Sequence, residues 1–259
     1  MPQEILRVTG LSKSFALSKK QQKLEKTGDT VRHAVQNLSF TAYRGEIFGL
    51  LGANGAGKTT TLRMLATLLA SDAGDATVNG FSIVHESARV RASIGFLTSE
   101  NRLEEFFTPR YLFDFFSGLH GVSDEVRDAR RTALFDRFGI ADFAEVKVGD
   151  LSTGMKQKVS LVMALVHDPA LIIFDEPTNG LDVLTARTVT DFLLELRAQG
   201  KSVILSTHIF SLAERVCDRV GIMMDGRMQK VGTQDEVRGT QTLEDAFFAL
   251  YREKGGVLS

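Results

Sequence analysis

Gly52-Ala-Asn-Gly-Ala-Gly-Lys58-Thr59-Thr60 decides the fold class of this chain. It reads G-x-x-x-x-G-K-T, the pattern of a loop that wraps phosphate groups. The run before it, Glu46-Ile-Phe-Gly-Leu-Leu51, is apolar and of strand type. The run after it, Thr60-Thr-Leu-Arg-Met-Leu65, begins a helical pattern. Glycines let the backbone fold tightly enough for its N–H groups to face phosphate oxygens, and the following helix directs its N-terminal dipole at the anion. Gly52, Asn54, Gly55, Ala56, Gly57, Lys58, Thr59 and Thr60 are therefore the expected nucleotide-binding set. Lys58 reaches the β- and γ-phosphates in this reading, and the Thr59 hydroxyl ligates Mg²⁺.

Outward from the loop, strand and helix patterns alternate, which argues an α/β sheet. Ile5–Val8 and Ala34–Tyr43 read as strands, and Ser18–Thr30 as a polar, solvated loop or frayed hairpin. The helix after the loop is expected to run to about Ala70, with a short strand at Ala76–Val78 and a turn at Asn79-Gly80. From Ser87 to about Phe143 the pattern is mainly helical. Pro109–Leu119 and Asp124–Phe138 carry apolar stripes. Core character returns with helical patterns at Ser152–His167, Thr185–Ala198 and Phe210–Val216 and strands at Leu171–Phe174 and Ser202–Ser206. Asp225-Gly226 marks a hairpin, and Leu243, Phe247 and Leu250 line a terminal helix.

The 259 residues suffice for one large domain or two small ones. A hydrophobic share of 43% and a charged share of 24% are ordinary for a globular protein that buries a core. The net charge of −1 provides no global basic field for nucleic acid. The single cysteine, Cys217, allows neither an intramolecular disulfide nor a cysteine metal cluster, which suits a reducing cytosol. The N-terminus lacks the layout of a signal peptide, and no apolar run is long enough to span a bilayer. If the protein acts at a membrane, a partner is expected to hold it there.

Leu171-Ile-Ile-Phe-Asp175-Glu176 ends a buried-type strand on two carboxylates, at the strand end where open α/β sheets bind ligands. One acid can hold Mg²⁺ and the next can orient an attacking water; alternatively, the pair caps a strand end. Leu151-Ser-Thr-Gly-Met-Lys-Gln-Lys158 is by local physics a helix start with Ser152 or Thr153 as cap.

That segment resembles the signature sequence of ATP-binding cassette (ABC) proteins and lies just upstream of the Asp-Glu strand, as in that family. Asn179-Gly-Leu-Asp182 resembles the family's D-loop, and His208, after the strand Val203–Ser206, its switch histidine. The order of motifs is that of the nucleotide-binding subunit of an ABC transporter. The resemblance implies a P-loop NTPase core with a mostly parallel sheet, an antiparallel β subdomain and an inserted α-helical subdomain. On this layout residues 1–259 form one ABC ATPase domain: core 1–84 and 148–235, helical subdomain 85–147, and a C-terminal helix and tail over 236–259.

The resemblance also implies a mechanism. Two copies pair head to tail around two ATP molecules. Phe15 stacks on adenine, or alternatively is a core phenylalanine. Lys58 cradles phosphates, and Thr59 holds Mg²⁺ with Asp175 in its outer shell. Glu176 polarises the attacking water, and His208 bonds the γ-phosphate and that water. Ser152 and Gly154 contact the γ-phosphate held by the other copy, and Asp182 connects the two sites.

Three departures from the pattern stand out. Thr153 replaces a signature glycine, Ala53 a common proline, and Ser99 the glutamine usual at the end of Ile94-Gly-Phe-Leu-Thr-Ser99. The short Ser99 side chain puts in doubt the usual link to Mg²⁺ and to the helical subdomain. With these departures the chain resembles the ATPase subunits of bacterial sodium-efflux (NatA-like) systems, a branch of the ABC-2 type exporters whose membrane subunits are separate chains. The implied setting is cytoplasmic, peripheral on the inner face of the membrane through a multi-span permease. Phe106, Phe107 and Tyr111 are candidates to contact that permease, or else pack within the subdomain. The competing readings are an exporter of a lipid, glycan or drug, a soluble ABC ATPase acting on nucleic acid or ribosomes, and a module that holds ATP without turnover. The single cassette and near-zero charge disfavour the second, and Glu176 with His208 disfavours the third.

Overall fold

Three short runs, Ile47–Leu51 (β3), Leu171–Asp175 (β7) and Ser202–Thr207 (β8), are buried at every position. Strands buried on both faces belong to a parallel sheet covered on both sides. They form the centre of a six-stranded sheet. Its order is β10(Arg227–Thr233), β9(Arg219–Met224), β3, β8, β7, β6(Ile94–Thr98). β9, β3, β8, β7 and β6 run parallel to their neighbours, and β10 pairs antiparallel with β9. The computed structural model describes residues 2–25, 28–98 and 103–254.

A second, four-stranded antiparallel sheet has the order β2(Val31–Tyr43), β1(Glu4–Ala16), β4(Ala73–Val78), β5(Phe81–Ser82). Period-two alternation sends the central strands' side chains to opposite faces. Phe48, Leu50, Leu171 and Ile173 pack with the antiparallel sheet and with Leu62 and Leu65 of α2(Lys58–Leu65). Ile47, Leu51, Ile172 and Phe174 face a helical layer on the other side. That layer includes α4(Pro109–Leu119), α5(Asp124–Phe138), α6(Thr153–Met163), α7(Val183–Ala198), α8(Phe210–Val216) and α10(Leu243–Glu253).

Helix boundaries follow side-chain chemistry. Thr108 Oγ1 accepts from Tyr111 N–H and Pro109 opens α4, while α5 carries Asp124 and Glu125 in its first turn and stops at Gly139 with φ 61°. The structure differs from the sequence reading in several places: β1 runs on to Ala16, well past Val8, and α6 stops at Met163. Ser18–Thr30 is not all loop: Lys19–Glu25 forms helix α1. α2 ends at Leu65 rather than near Ala70, because Thr67 turns left-handed (φ 59°) and Leu68 N–H reaches back to the Arg63 carbonyl. β4 starts at Ala73. The helical run expected from Ser87 is interrupted after α3(Ser87–Ser93) by β6, which pairs with β7 in the main sheet. Ser99 lies outside the described residues.

Candidate nucleotide site

β3 delivers the chain into the loop 52–57, and α2 carries it away. Two glycines there have no substitute. A Cβ on Gly57, which has φ 101°, would lie 2.3 Å from the Ala34 carbonyl oxygen; one on Gly52 would lie 2.4 Å from that of Met223. The loop is thus clamped between β2 and β9. Phe15, Asn54, Gly55, Gly57, Lys58, Thr59, Thr60 and Glu176 line one cleft of about 430 Å³. Gly52 and Ala56 lie behind that lining; Phe15 is 39% exposed, with Lys13 Nζ 5.7 Å from its ring centroid. A half-exposed ring is not a core phenylalanine.

Lys58 is buried. Its Nζ donates to the carbonyls of Gly52 (2.7 Å) and Ala53 (3.2 Å) and stands 3.4 Å from Glu176 Oε1. Glu176 follows β7 in a left-handed conformation, φ 52°. A non-glycine residue there costs on the order of 1–3 kcal/mol and needs outside support. Ser206 of β8 supplies it: Glu176 N–H donates to the Ser206 carbonyl (3.1 Å) and to its Oγ (3.2 Å). The turn aims the carboxylate at the cleft, where Oε2 accepts from His208 Nδ1 at 2.9 Å. A carboxylate oxygen accepts, so Nδ1 is the donor of this bond. Among the described residues Oε1 is buried without a hydrogen-bond partner, with the Lys58 ammonium 3.4 Å away. Asp175 is buried below the cleft, and its Oδ1 accepts from Ser206 Oγ.

The remaining predicted residues lie elsewhere. Ser152 caps α6, its Oγ accepting from Met155 N–H at 3.3 Å. Asp182 caps α7 through Leu184 N–H (2.9 Å) and Thr185 N–H (3.0 Å). The Thr185 hydroxyl bonds Asp182 at 2.7 Å and is the largest cause holding this carboxyl below its ordinary range. A Cβ on Gly154 would lie 3.5 Å from Thr185 Oγ1 and 3.8 Å from Asp182 Oδ2, so the two helix starts are neighbours. None of Ser152, Gly154 and Asp182 lines the cleft.

This order of elements and motifs is matched by the protein-family model described as ABC transporter, over residues 35–179. The chain belongs to the ABC transporter family. It is 38% identical over 213 residues to the ABC transporter ATP-binding protein NatA of Bacillus subtilis, covering 82% of this chain and 87% of that one. It is 39% identical over 193 residues to the Nod factor export ATP-binding protein I of Burkholderia lata, covering 74% of this chain and 64% of that one. Among solved structures, one described as the ATP-binding subunit of an ABC transporter superposes with a TM-score of 0.82. It is 29% identical and covers 95% of this chain and 99% of its own. The chain therefore has the ABC ATPase fold and is an ATP-hydrolysing subunit whose hydrolysis drives transport.

Residues that the sequence reading of this ABC subunit passed over complete the site. Ser206 joins Asp175 to Glu176, and the signal was there: a serine directly after the apolar run Val203–Leu205 in a strand buried at every position. Gln21 and Arg32 also line the cleft, from the segment read as solvent-facing and from the start of β2. β2 starts at Val31, three residues before the Ala34 at which the sequence reading began the strand.

Proposed function

We propose that this subunit drives export through separate membrane subunits, as one of two copies paired head to tail around ATP. The observation that carries the reading is the split arrangement of the site. Lys58 and Glu176 line one cleft and His208 is hydrogen-bonded to Glu176, while Ser152, Gly154 and Asp182 cluster away from it. A second copy's capped helix start, with Ser152 and Gly154, would complete the γ-phosphate site, and Asp182 would connect the two sites. Phe15 would stack on adenine. Glu176 would polarise the attacking water, and His208 would hold that water and the γ-phosphate.

The donor set fits Mg²⁺. A hydroxyl at Thr59 and a buried carboxylate at Asp175 are hard oxygen ligands. The ion would neutralise charge on the phosphates. Among the described residues no helix is long and apolar enough to cross a membrane, so the permease would be another chain. Phe106 is 79% exposed. Phe107 and Tyr111 stack at 4.5 Å and Tyr111 and Phe115 at 6.2 Å, an aromatic ladder along α4 suited to a membrane subunit. The resemblance to NatA-like ATPases favours Na⁺ as cargo, and a Nod factor exporter's ATPase is as similar.

The test is ATP-dependent dimerisation by size-exclusion chromatography. Glu176→Gln should trap a dimer with ATP, and Ser152→Arg should abolish it; dimerisation indifferent to both overturns the paired site. Phe107→Ser should weaken copurification with the membrane subunit while leaving the fold intact. Radiolabelled sodium moved by the reconstituted complex on adding ATP would establish the cargo.

A further inference from the structure

Leu17 and Gln21, between β1 and β2, contribute to one wall of the nucleotide cleft. Leu17 N–H donates to the Thr30 carbonyl at 2.8 Å, closing the excursion at its base, so the two strands rejoin one ladder. Within it, Gln21 accepts from Ser18 N–H (2.9 Å) and Ser18 Oγ (2.8 Å) and lines the cleft. Phe15 and Arg32 are direct partners across the ladder. Opposed residues of an antiparallel pair share a face, with Cβ atoms about 4.5–5.5 Å apart. Both side chains line the cleft, and Arg32 Nη2 would stand 3.2 Å from a Cβ built on Gly55, at the phosphate loop.

One ladder position therefore presents a flat ring and a guanidinium side by side, the second against the loop that Lys58 follows. A triphosphate carries more negative charge than Lys58 offsets alone, and a planar guanidinium binds phosphate oxygens in pairs. We propose that Arg32 is a second phosphate-binding cation of this cleft, acting on the terminal phosphates of the nucleotide whose base rests on Phe15. This rests on the reading that the cleft holds ATP.

Equilibrium binding of ATP and AMP to the full chain, followed by isothermal calorimetry, tests the assignment. Arg32→Gln should weaken ATP about tenfold and leave AMP within about twofold, and Arg32→Lys should restore most of the ATP affinity. Arg32 is exposed, so matching melting curves would show that both variants are folded. Unchanged ATP affinity in Arg32→Gln, or equal loss for AMP, overturns the proposal. Lys58→Ala is the control: if it leaves ATP binding intact, the reading of the cleft fails; if it loses ATP while Arg32→Gln does not, only the role of Arg32 fails.

Discussion

Glu176 Oε2 lies 2.9 Å from His208 Nδ1. The same carboxylate faces Lys58 through Oε1 at 3.4 Å, so one side chain ties the phosphate loop to the end of β8. Glu176→Gln keeps the shape and removes the charge, so nucleotide binding should persist while kcat falls about 10³-fold. His208→Ala should lower kcat about 10²-fold and act non-additively with it. Single-turnover ATP hydrolysis measures both, and wild-type rates in Glu176→Gln would remove it from the chemistry.

Ser206 acts on both acids at once. Replacing it with alanine strips Asp175 of its donor and Glu176 N–H of one acceptor, leaving the Ser206 backbone bond in place. The expected outcome is a loss of about 1–3 kcal/mol in urea unfolding. A lower kcat with a changed Mg²⁺ dependence should accompany it, since Asp175 is the proposed metal-side carboxylate. Ser206→Thr, which keeps a hydroxyl, should recover most of the activity.

Gly57→Ala drives a methyl into the Ala34 carbonyl at a backbone φ that side chains rarely adopt. A cost of about 3 kcal/mol is expected, and each kcal/mol lowers Tm about 2–4 °C in a chain of this size. Thermal melting should show the drop together with lost ATP binding. An unchanged Tm would mean that β2 gives way without cost.

His167 sets a pH dependence away from the cleft. Its Nε2–H donates to the Ile94 carbonyl at 2.9 Å, its Nδ1 is buried without a hydrogen-bond partner among the described residues, and its ring stacks on His120 at 3.8 Å. Burial first, then the neighbouring His120, push its pKa down to about 4. Between pH 6.5 and 4 the unfolded chain therefore binds this proton more readily than the folded one. The stabilisation is complete above pH 6.5 and lost as pH falls toward 4. Urea midpoints of the wild type should drop across this window more steeply than those of His167→Gln, which keeps an N–H donor but does not titrate. Parallel curves would show that His167 does not titrate as placed.

Much of this was legible along the chain because it is local. Gly52–Thr59 states its loop in eight residues, and the apolar run Leu171–Phe174 announces a strand covered on both faces. α4 and α5 have the bounds that their apolar stripes and caps predict. The family order of motifs placed Glu176 and His208 in one reading, although their contact spans 32 positions. The failures are equally physical. Ile94–Thr98 is a strand because β7 pairs with it, although the residues just before it, Ser87–Ser93, are helical. Ser18–Thr30 looks solvated because its residues are polar, and polarity does not say which surface they face.

The sequence by itself determined the fold, the phosphate loop and the identity of the acids and the histidine, since glycine spacing, apolar periodicity and motif order are local properties. The tertiary structure decided what those residues meet. The left-handed turn at Glu176, its bonds to Ser206, the clamp of Ala34 on Gly57 and the position of Arg32 opposite Phe15 all depend on strand register. Register comes from long-range hydrogen bonding and burial, and no window of the chain contains it.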